Sequence, residues 1–314
     1  MDRDSHKTQL EAEHWDRINE RRTSGGYIPF EADIRRATRA ERPNGQDPEM
    51  TRIVVGKYRD IFIDRVAHVP GGQVLDICCG PGWLALELGR RGQKVDAYDL
   101  SSKAIALAKR MLDENPFREG FGTVNYQVQD VTALDLGVER FDAVCGWSAF
   151  HHIQDLPEFL GRVFRALKPG GIIATMDDLP TGRIERYLGW FIMGLMPTSN
   201  LTYRQKLLGV LKRVNRAIHK HGAKVASPQA EPVRSASPAE AECTHEIEPL
   251  FCEKFKVREN FRYNAFAVSA CYALKGSDRV RYRLARILTW LDRFLCRAGV
   301  VKGGYRIIIA QKPI

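Results

Sequence analysis

The chain has 314 residues, 44% of them hydrophobic and 27% charged, with a formal net charge of +10 and a pI near 9.3. This is ordinary globular composition, enough for a substantial core in one large or two small domains, and it excludes wholesale disorder. The longest apolar run, Tyr187 to Met196, is about half of the roughly 20 residues that a membrane-crossing helix needs, and the charged start MDRDSHKTQLEAEHWDR has no apolar signal core, so the expectation is a cytoplasmic protein.

Residues 1 to about 70 read as helical and polar, broken at Gly25-Gly26 and at the turn cluster from Pro43 to Pro48. From Val74 the texture changes. Short apolar runs at Val74–Cys78, Lys94–Tyr98, Val124–Val128, Phe141–Cys145 and Ile172–Met176 alternate with stretches apolar at helical spacing, Trp83–Arg91, Ser102–Glu114 and Pro157–Leu167. Strand then helix, repeated, predicts an α/β fold with a doubly wound, mostly parallel sheet. Ser101 and Asp155 stand where helix N-caps belong. After Asp178 the alternation stops. A basic amphipathic stretch leads into a Pro/Ser/Ala-rich linker at 226–238, and Ser237-Pro238-Ala239-Glu240 matches a capping box that starts a helix running toward Phe251. Phe255–Tyr263 and Tyr305–Ala310 are the last strand candidates, bracketing a helix at 279–297. Seven cysteines, at 78, 79, 145, 243, 252, 271 and 296, show no paired metal-ligand spacing and read as reduced structural thiols.

The informative segment is Val74-Leu-Asp-Ile-Cys-Cys-Gly-Pro-Gly-Trp83, where Gly80 and Gly82 let the chain turn from strand to helix and let a ligand approach closely. Asp99, 17 residues past Gly82 at the end of the next strand, is placed to accept from the hydroxyls of an adenosine ribose. A dinucleotide shares that geometry, but Asp76 just upstream is awkward for a pyrophosphate and welcome to a cation.

These residues resemble the class I S-adenosylmethionine-dependent methyltransferases, particularly the ubiquinone and menaquinone branch. The resemblance runs from about Val74 to Asp178 and includes Phe141-Asp142-Ala-Val144, Phe150-His151-His152-Ile153 and Leu167-Lys168-Pro169-Gly170-Gly171 in family order. It departs at Cys78-Cys79, where the family has Gly-Cys before the first glycine. The resemblance implies a seven-stranded Rossmann-like sheet and S-adenosyl-L-methionine as cofactor. It also implies that Asp76, Cys78, Gly80 and Gly82 hold the methionine end, Asp99 and Leu100 the ribose, and Asp130 and Val131 the adenine, with Trp147 at the fourth strand's exit on the cofactor side. No metal is expected.

Transfer to a hydroxyl acceptor requires a general base. At the carboxyl ends of the strands the candidates are His151, His152 and the pair Asp177 and Asp178. His14, Trp15 and Tyr27 are lid candidates. The expected function is O-methylation of a small-molecule, sugar or lipid-like acceptor. N- or C-methylation, an RNA methyltransferase, an NAD(P)-dependent oxidoreductase and a non-catalytic cofactor-binding protein stay open as alternatives.

The positive charge is localised. Residues 183–224 hold nine Lys and Arg against Glu185, and 275–302 hold eight against Asp278 and Asp292, so the remainder is slightly acidic. Amphipathic patterns at Leu207–Ile218 and Leu284–Leu295 suit a solvated helix face, an anionic membrane surface in peripheral contact, or nucleic acid. Nucleic acid is disfavoured, because Cys145-Gly-Trp-Ser148 lacks the Asn-Pro-Pro-Tyr-type motif of base methylation. The organisation expected is a helical cap or lid at 1–70, a cofactor core at 71–178, a basic helical insertion at 179–253, and sheet-completing strands at 254–314. Oligomeric state is left open.

Overall fold

The computed structural model describes residues 3–24, 47–68, 71–179, 182–198, 203–206, 208 and 247–314. The turn clusters at 25–26 and 43–46, Tyr27, Cys243, the linker at 226–238, the capping box at 237–240 and nearly all of the amphipathic pattern at 207–218 lie outside them.

The sheet is built from β1 (Gln73–Ile77), β2 (Lys94–Asp99), β3 (Thr123–Val128), β4 (Phe141–Trp147), β5 (Leu167–Asp178), β6 (Lys256–Tyr263) and β7 (Tyr305–Gln311), in the order β3-β2-β1-β4-β5-β7-β6. The pairs β1–β2, β2–β3, β1–β4 and β4–β5 are parallel and β5–β7 is antiparallel. Because parallel neighbours need crossover connections, helices fall between the strands: α4 (Trp83–Arg90), α5 (Ser102–Asp113) and α6 (Leu156–Ala166). They are preceded by α1 (Arg3–Ser24) and by α2 (Pro48–Thr51), which runs through a π-helical turn at Arg52–Gly56 into α3 (Lys57–Val66). The expected doubly wound, mostly parallel seven-stranded sheet is present.

Both expected caps form. Ser101 Oγ accepts from Ala104 N at 3.0 Å to start α5, and Asp155 accepts from Glu158 N at 3.1 Å to start α6, where Pro157 lacks a donor in any case. β5 begins earlier than the sequence suggests. Lys168-Pro-Gly-Gly171 reads as a turn, yet Leu167 already pairs with Phe141 and the register slips before Ala143. Gly170, at φ +74°, donates to Lys312 O, while Gly171 O accepts from Lys312 N, so the segment is a bulge inside the strand. The main core packs Phe141, Phe150, Phe159 and Leu160 with Phe251 and Phe255 of the helix α8 (Ile247–Lys254) and its exit. Each such fully buried side chain contributes about 1.5–3 kcal/mol.

The chain divides into two compact units, Met1–Leu179 with Ser237–Arg262 and Tyr305–Ile314, and Pro180–Ala236 with Tyr263–Gly304. The first holds the sheet. The second contains α7 (Arg183–Leu195), α9 (Ala267–Tyr272) and α10 (Asp278–Arg297), with α9 packed on both others. There the buried Asp292 carboxylate accepts from the backbone N–H groups of Ala265, Phe266 and Ala267 at 3.2, 2.8 and 2.8 Å, tying α10 to the start of α9. Among the described residues no helix is long and apolar enough to cross a membrane.

Candidate functional site

In an open α/β sheet, ligands bind beyond the carboxyl ends of the strands where the strand order reverses. Here that point lies between β1 and β4. The loop leaving β1 takes three left-handed residues in quick succession, Cys78 (φ +48°), Gly80 (+52°) and Gly82 (+81°). The two glycines are needed for different reasons. A Cβ on Gly82 would lie 2.5 Å from the hydroxyl of Tyr126, which donates to Gly82 O at 2.6 Å. A Cβ on Gly80 would meet nothing within 4 Å, so it would project into open space beside the loop.

Asp99 fastens this loop to β2. Its Oδ2 accepts from Gly80 N and its Oδ1 from Ser101 N, both at 2.8 Å. Each carboxylate oxygen retains a second lone pair for a ligand. Burial raises the Asp99 pKa, and the two backbone bonds oppose that rise. Asp76 is more exposed to electrostatic conflict, because it is only 1% accessible and its Oδ2 has no hydrogen-bond partner among the described residues. Burial first, and then the charge of Asp99, push its pKa well above the usual carboxylate range. The same two causes raise the thiols of Cys78 and Cys79, which therefore stay protonated.

The remaining expected cofactor residues surround this loop. Leu100 is half-buried between Asp99 and the α5 cap. Asp130 lies two residues past β3 in a tight turn, its Oδ1 accepting from Thr132 N at 2.8 Å and Thr132 Oγ1 at 2.6 Å, and Val131 is buried in the main core. Trp147 ends β4 with its ring edge-on to Trp83 at 5.2 Å and to Phe62 at 5.3 Å, and the Arg59 guanidinium lies 4.8 Å over Trp83.

The histidines occupy a 3-10 turn, Phe150–His152, directly after β4. His151 is 5% exposed and its Nδ1 is 2.7 Å from Asp177 Oδ1, while Thr175 Oγ1 donates to Asp177 Oδ2. His152 faces elsewhere: its Nδ1 is 3.3 Å from Glu11 Oε1, which also accepts from Trp15 Nε1 at 2.7 Å. The Trp15 and His152 rings meet edge-on at 5.4 Å. Asp178 accepts from Ser148 Oγ at 3.4 Å.

A family model for a methyltransferase domain matches residues 74–171. The match spans the glycine loop, Asp99, Asp130 and the two histidines.

The chain carries a class I S-adenosylmethionine-dependent methyltransferase domain.

S-adenosyl-L-methionine is the cofactor of this domain class. Its positively charged sulfonium and amino groups suit a loop in which a buried carboxylate oxygen of Asp76 lacks a partner and no Cβ blocks Gly80. The chain is 31% identical over 148 residues to an uncharacterised methyltransferase of Synechocystis, covering 45% of this chain and 64% of that protein. It is 29% identical over 155 residues to a ubiquinone biosynthesis O-methyltransferase of Coxiella burnetii, covering 48% of this chain and again 64% of the relative. The chain thus spans just under two thirds of these relatives. Across 98% of its length it is similar in fold to the [4+2]-cyclase SpnF, with a TM-score of 0.53 and 16% identity, covering 96% of that structure.

Around the methyltransferase domain, sequence reading missed the anchoring of α1. Asp16 accepts from Ser101 Oγ at 2.6 Å, Lys103 N at 3.0 Å and Ser102 Oγ at 3.1 Å. Burial raises its pKa, but these bonds outweigh that and hold it below the usual value. Acids and amides sprinkled on a polar helix give no periodic signal. The Ser101-Ser102 helix start was the available hint, since a helix N-terminus attracts a carboxylate. Among the described residues no cluster of three or more His, Cys, Asp and Glu is placed for a metal.

Proposed function

We propose that this protein transfers a methyl group from S-adenosyl-L-methionine to a hydroxyl of a small, lipid-like acceptor, with His151 as general base and Asp177 as the residue that positions it. The observation that carries this reading is the buried His151–Asp177 pair at the carboxyl ends of β4 and β5. With Nδ1–H given to the carboxylate, the imidazole's Nε2 carries the lone pair that can take an acceptor proton. The name of the Coxiella relative, a ubiquinone biosynthesis O-methyltransferase, supports a hydroxyl acceptor of quinone-like, partly apolar character.

The bound cofactor would supply an electrophilic methyl group. In this reading Asp76 faces its positive charge, Gly80 and Gly82 let the backbone close on it, and Asp99 accepts from the ribose hydroxyls. Asp130 accepts from the adenine amino group, Val131 and Leu100 flank the base and ribose, and Cys78 and Trp147 line the methionine side. His152, held by Glu11 and Trp15, would close the pocket from α1 rather than take the proton. Residues 1–70 then act as a cap over the core at 71–178, in a cytoplasmic protein.

The fold leaves methyl transfer to be argued from the site, since a cyclase shares it. The test is turnover with labelled cofactor across candidate phenolic and quinol acceptors, alongside calorimetry. His151→Ala should lower turnover by about 10²–10⁴-fold and leave cofactor binding intact. Turnover at the wild-type rate would remove His151 from the mechanism.

A further inference from the structure

The helix α10 has two apolar faces, and among the described residues only one is packed into the fold. Arg281, Ala285, Leu288, Thr289 and Asp292 are buried. At about 100° per residue, Val280, Ile287, Trp290 and Phe294 form a second stripe on the outside. Trp290 is 66% and Phe294 55% exposed, with their rings stacked at 5.9 Å. Isolated exposed hydrophobics are normal, but a contiguous aromatic stripe marks a docking surface. The same spacing places Arg279, Arg283, Arg286 and Arg297 along one side of the stripe, all exposed. Of the two acids on α10 itself, Asp292 is buried and Asp278 is paired with Arg281 at 2.9 Å. In the same unit α7 repeats the pattern, with Ile184, Tyr187, Phe191 and Leu195 exposed at helical spacing and Arg183 and Arg186 at its start.

We infer that this helical unit docks on an anionic lipid surface, with the Trp290/Phe294 stripe of α10 entering the headgroup boundary and the neighbouring arginines meeting lipid phosphates. The occupant is argued from charge and side-chain chemistry. Aromatic rings favour the membrane interface, arginines reach from it to phosphate, and a helix with both on its solvent face lies in the interface plane. Each basic residue at such a surface strengthens attachment by about fivefold. The inference does not rest on the acceptor proposed above, because binding is measured without turnover.

The experiment is co-sedimentation of the full chain with phosphatidylcholine vesicles, with and without phosphatidylglycerol, at low and high salt. Binding should require the anionic lipid and weaken as salt is added. Arg283→Glu with Arg286→Glu should weaken it by about 25-fold or more, and Trp290→Ser with Phe294→Ser by about tenfold or more. All four side chains point away from the fold, and unchanged cofactor affinity of both variants verifies that they are folded. Absence of binding to either vesicle, equal binding to neutral vesicles, or binding that survives both variants would each overturn the inference. So would a concentration-dependent dimer lost in the aromatic variant without vesicle binding, which would assign the stripe to a second copy of the chain.

Discussion

The two ends of the parallel sheet treat their charges in opposite ways. At the amino ends of β1, β2 and β4 lies an open depression of about 550 Å³ lined by Gln73, Lys94, Asp96, Asn125, Arg140, Asp142 and Lys168. Its acids are matched. Asp96 is bonded to Arg140 at 2.5 Å and to Gln73 and Asn125, and Asp142 to Lys168 and to Gln73 N, both at 2.8 Å. Burial raises the Asp142 pKa, but these bonds win and hold it below the usual range. At the carboxyl ends, burial pushes the pKa values of Asp76 and Asp99 upward, and Asp76 keeps an oxygen with no partner among the described residues. Charges that the fold satisfies by itself stabilise it; charges left waiting cost stability until a ligand arrives. The depression at the amino ends is thus satisfied by the fold itself, and the proposed chemistry lies at the other end.

The largest test of this contrast is His151→Ala. Loss of a general base lowers turnover by about 10²–10⁴-fold, with calorimetric cofactor affinity unchanged. Asp177→Asn should lower kcat by a smaller factor and shift the pH profile of kcat, because the imidazole loses the carboxylate that fixes its tautomer. An Asp177→Asn enzyme with an unaltered profile would reduce Asp177 to packing.

Next comes Asp99→Ala, which removes both backbone bonds that hold the glycine loop as well as the proposed ribose contacts. Charge-assisted hydrogen bonds contribute about 1.5–3 kcal/mol each, so cofactor affinity should fall by about 100-fold or more. Unchanged affinity would remove Asp99 from the cofactor site.

Asp76→Asn should separate stability from binding. The folded pKa of Asp76 is raised, so between its unfolded and folded values the native state binds more protons, and stability falls as pH rises through that window. The neutral amide escapes this. The ligand-free variant should melt a few degrees higher than wild type near neutral pH, with the gap closing toward pH 4, and should bind cofactor more weakly. A lower melting temperature with unaltered affinity would mean that the Asp76 charge is already compensated.

The strands, helices and caps of the core were legible because they rest on local patterns: apolar period, Ser101 and Asp155 before helices, and glycines between strand and helix. The proposed site was legible in part. Asp76, Gly80, Gly82 and Asp99 announce themselves by spacing, whereas the difference between the glycines does not, since it depends on Tyr126 arriving from β3. Choosing His151 over its neighbour needed Asp177, which is 26 residues away, and Glu11 and Asp16 were invisible because their partners come from distant segments. The bulge at Gly170 misread as a turn has the same origin, in hydrogen bonds to Lys312 at the far end of the chain.

The smallest effect belongs to the amino end, and it decides whether the contrast is real. Lys168→Ala breaks a half-exposed ion pair with Asp142 and should cost about 0.2–1 kcal/mol. Asp142 has a depressed folded pKa, so its contribution is present above the unfolded value and is lost as pH falls through the folded one. The Lys168→Ala penalty should therefore be seen in urea melts near pH 7 and shrink below about pH 4, opposite in sign to the Asp76→Asn gain, which closes in the window above that pH. Cofactor affinity and turnover should match wild type at every pH. A loss of affinity in Lys168→Ala would mean that the amino-end network is coupled to the glycine loop through β1, whose residues Gln73 and Asp76 stand at its two ends, and the two ends of the sheet would then have to be treated as one electrostatic system.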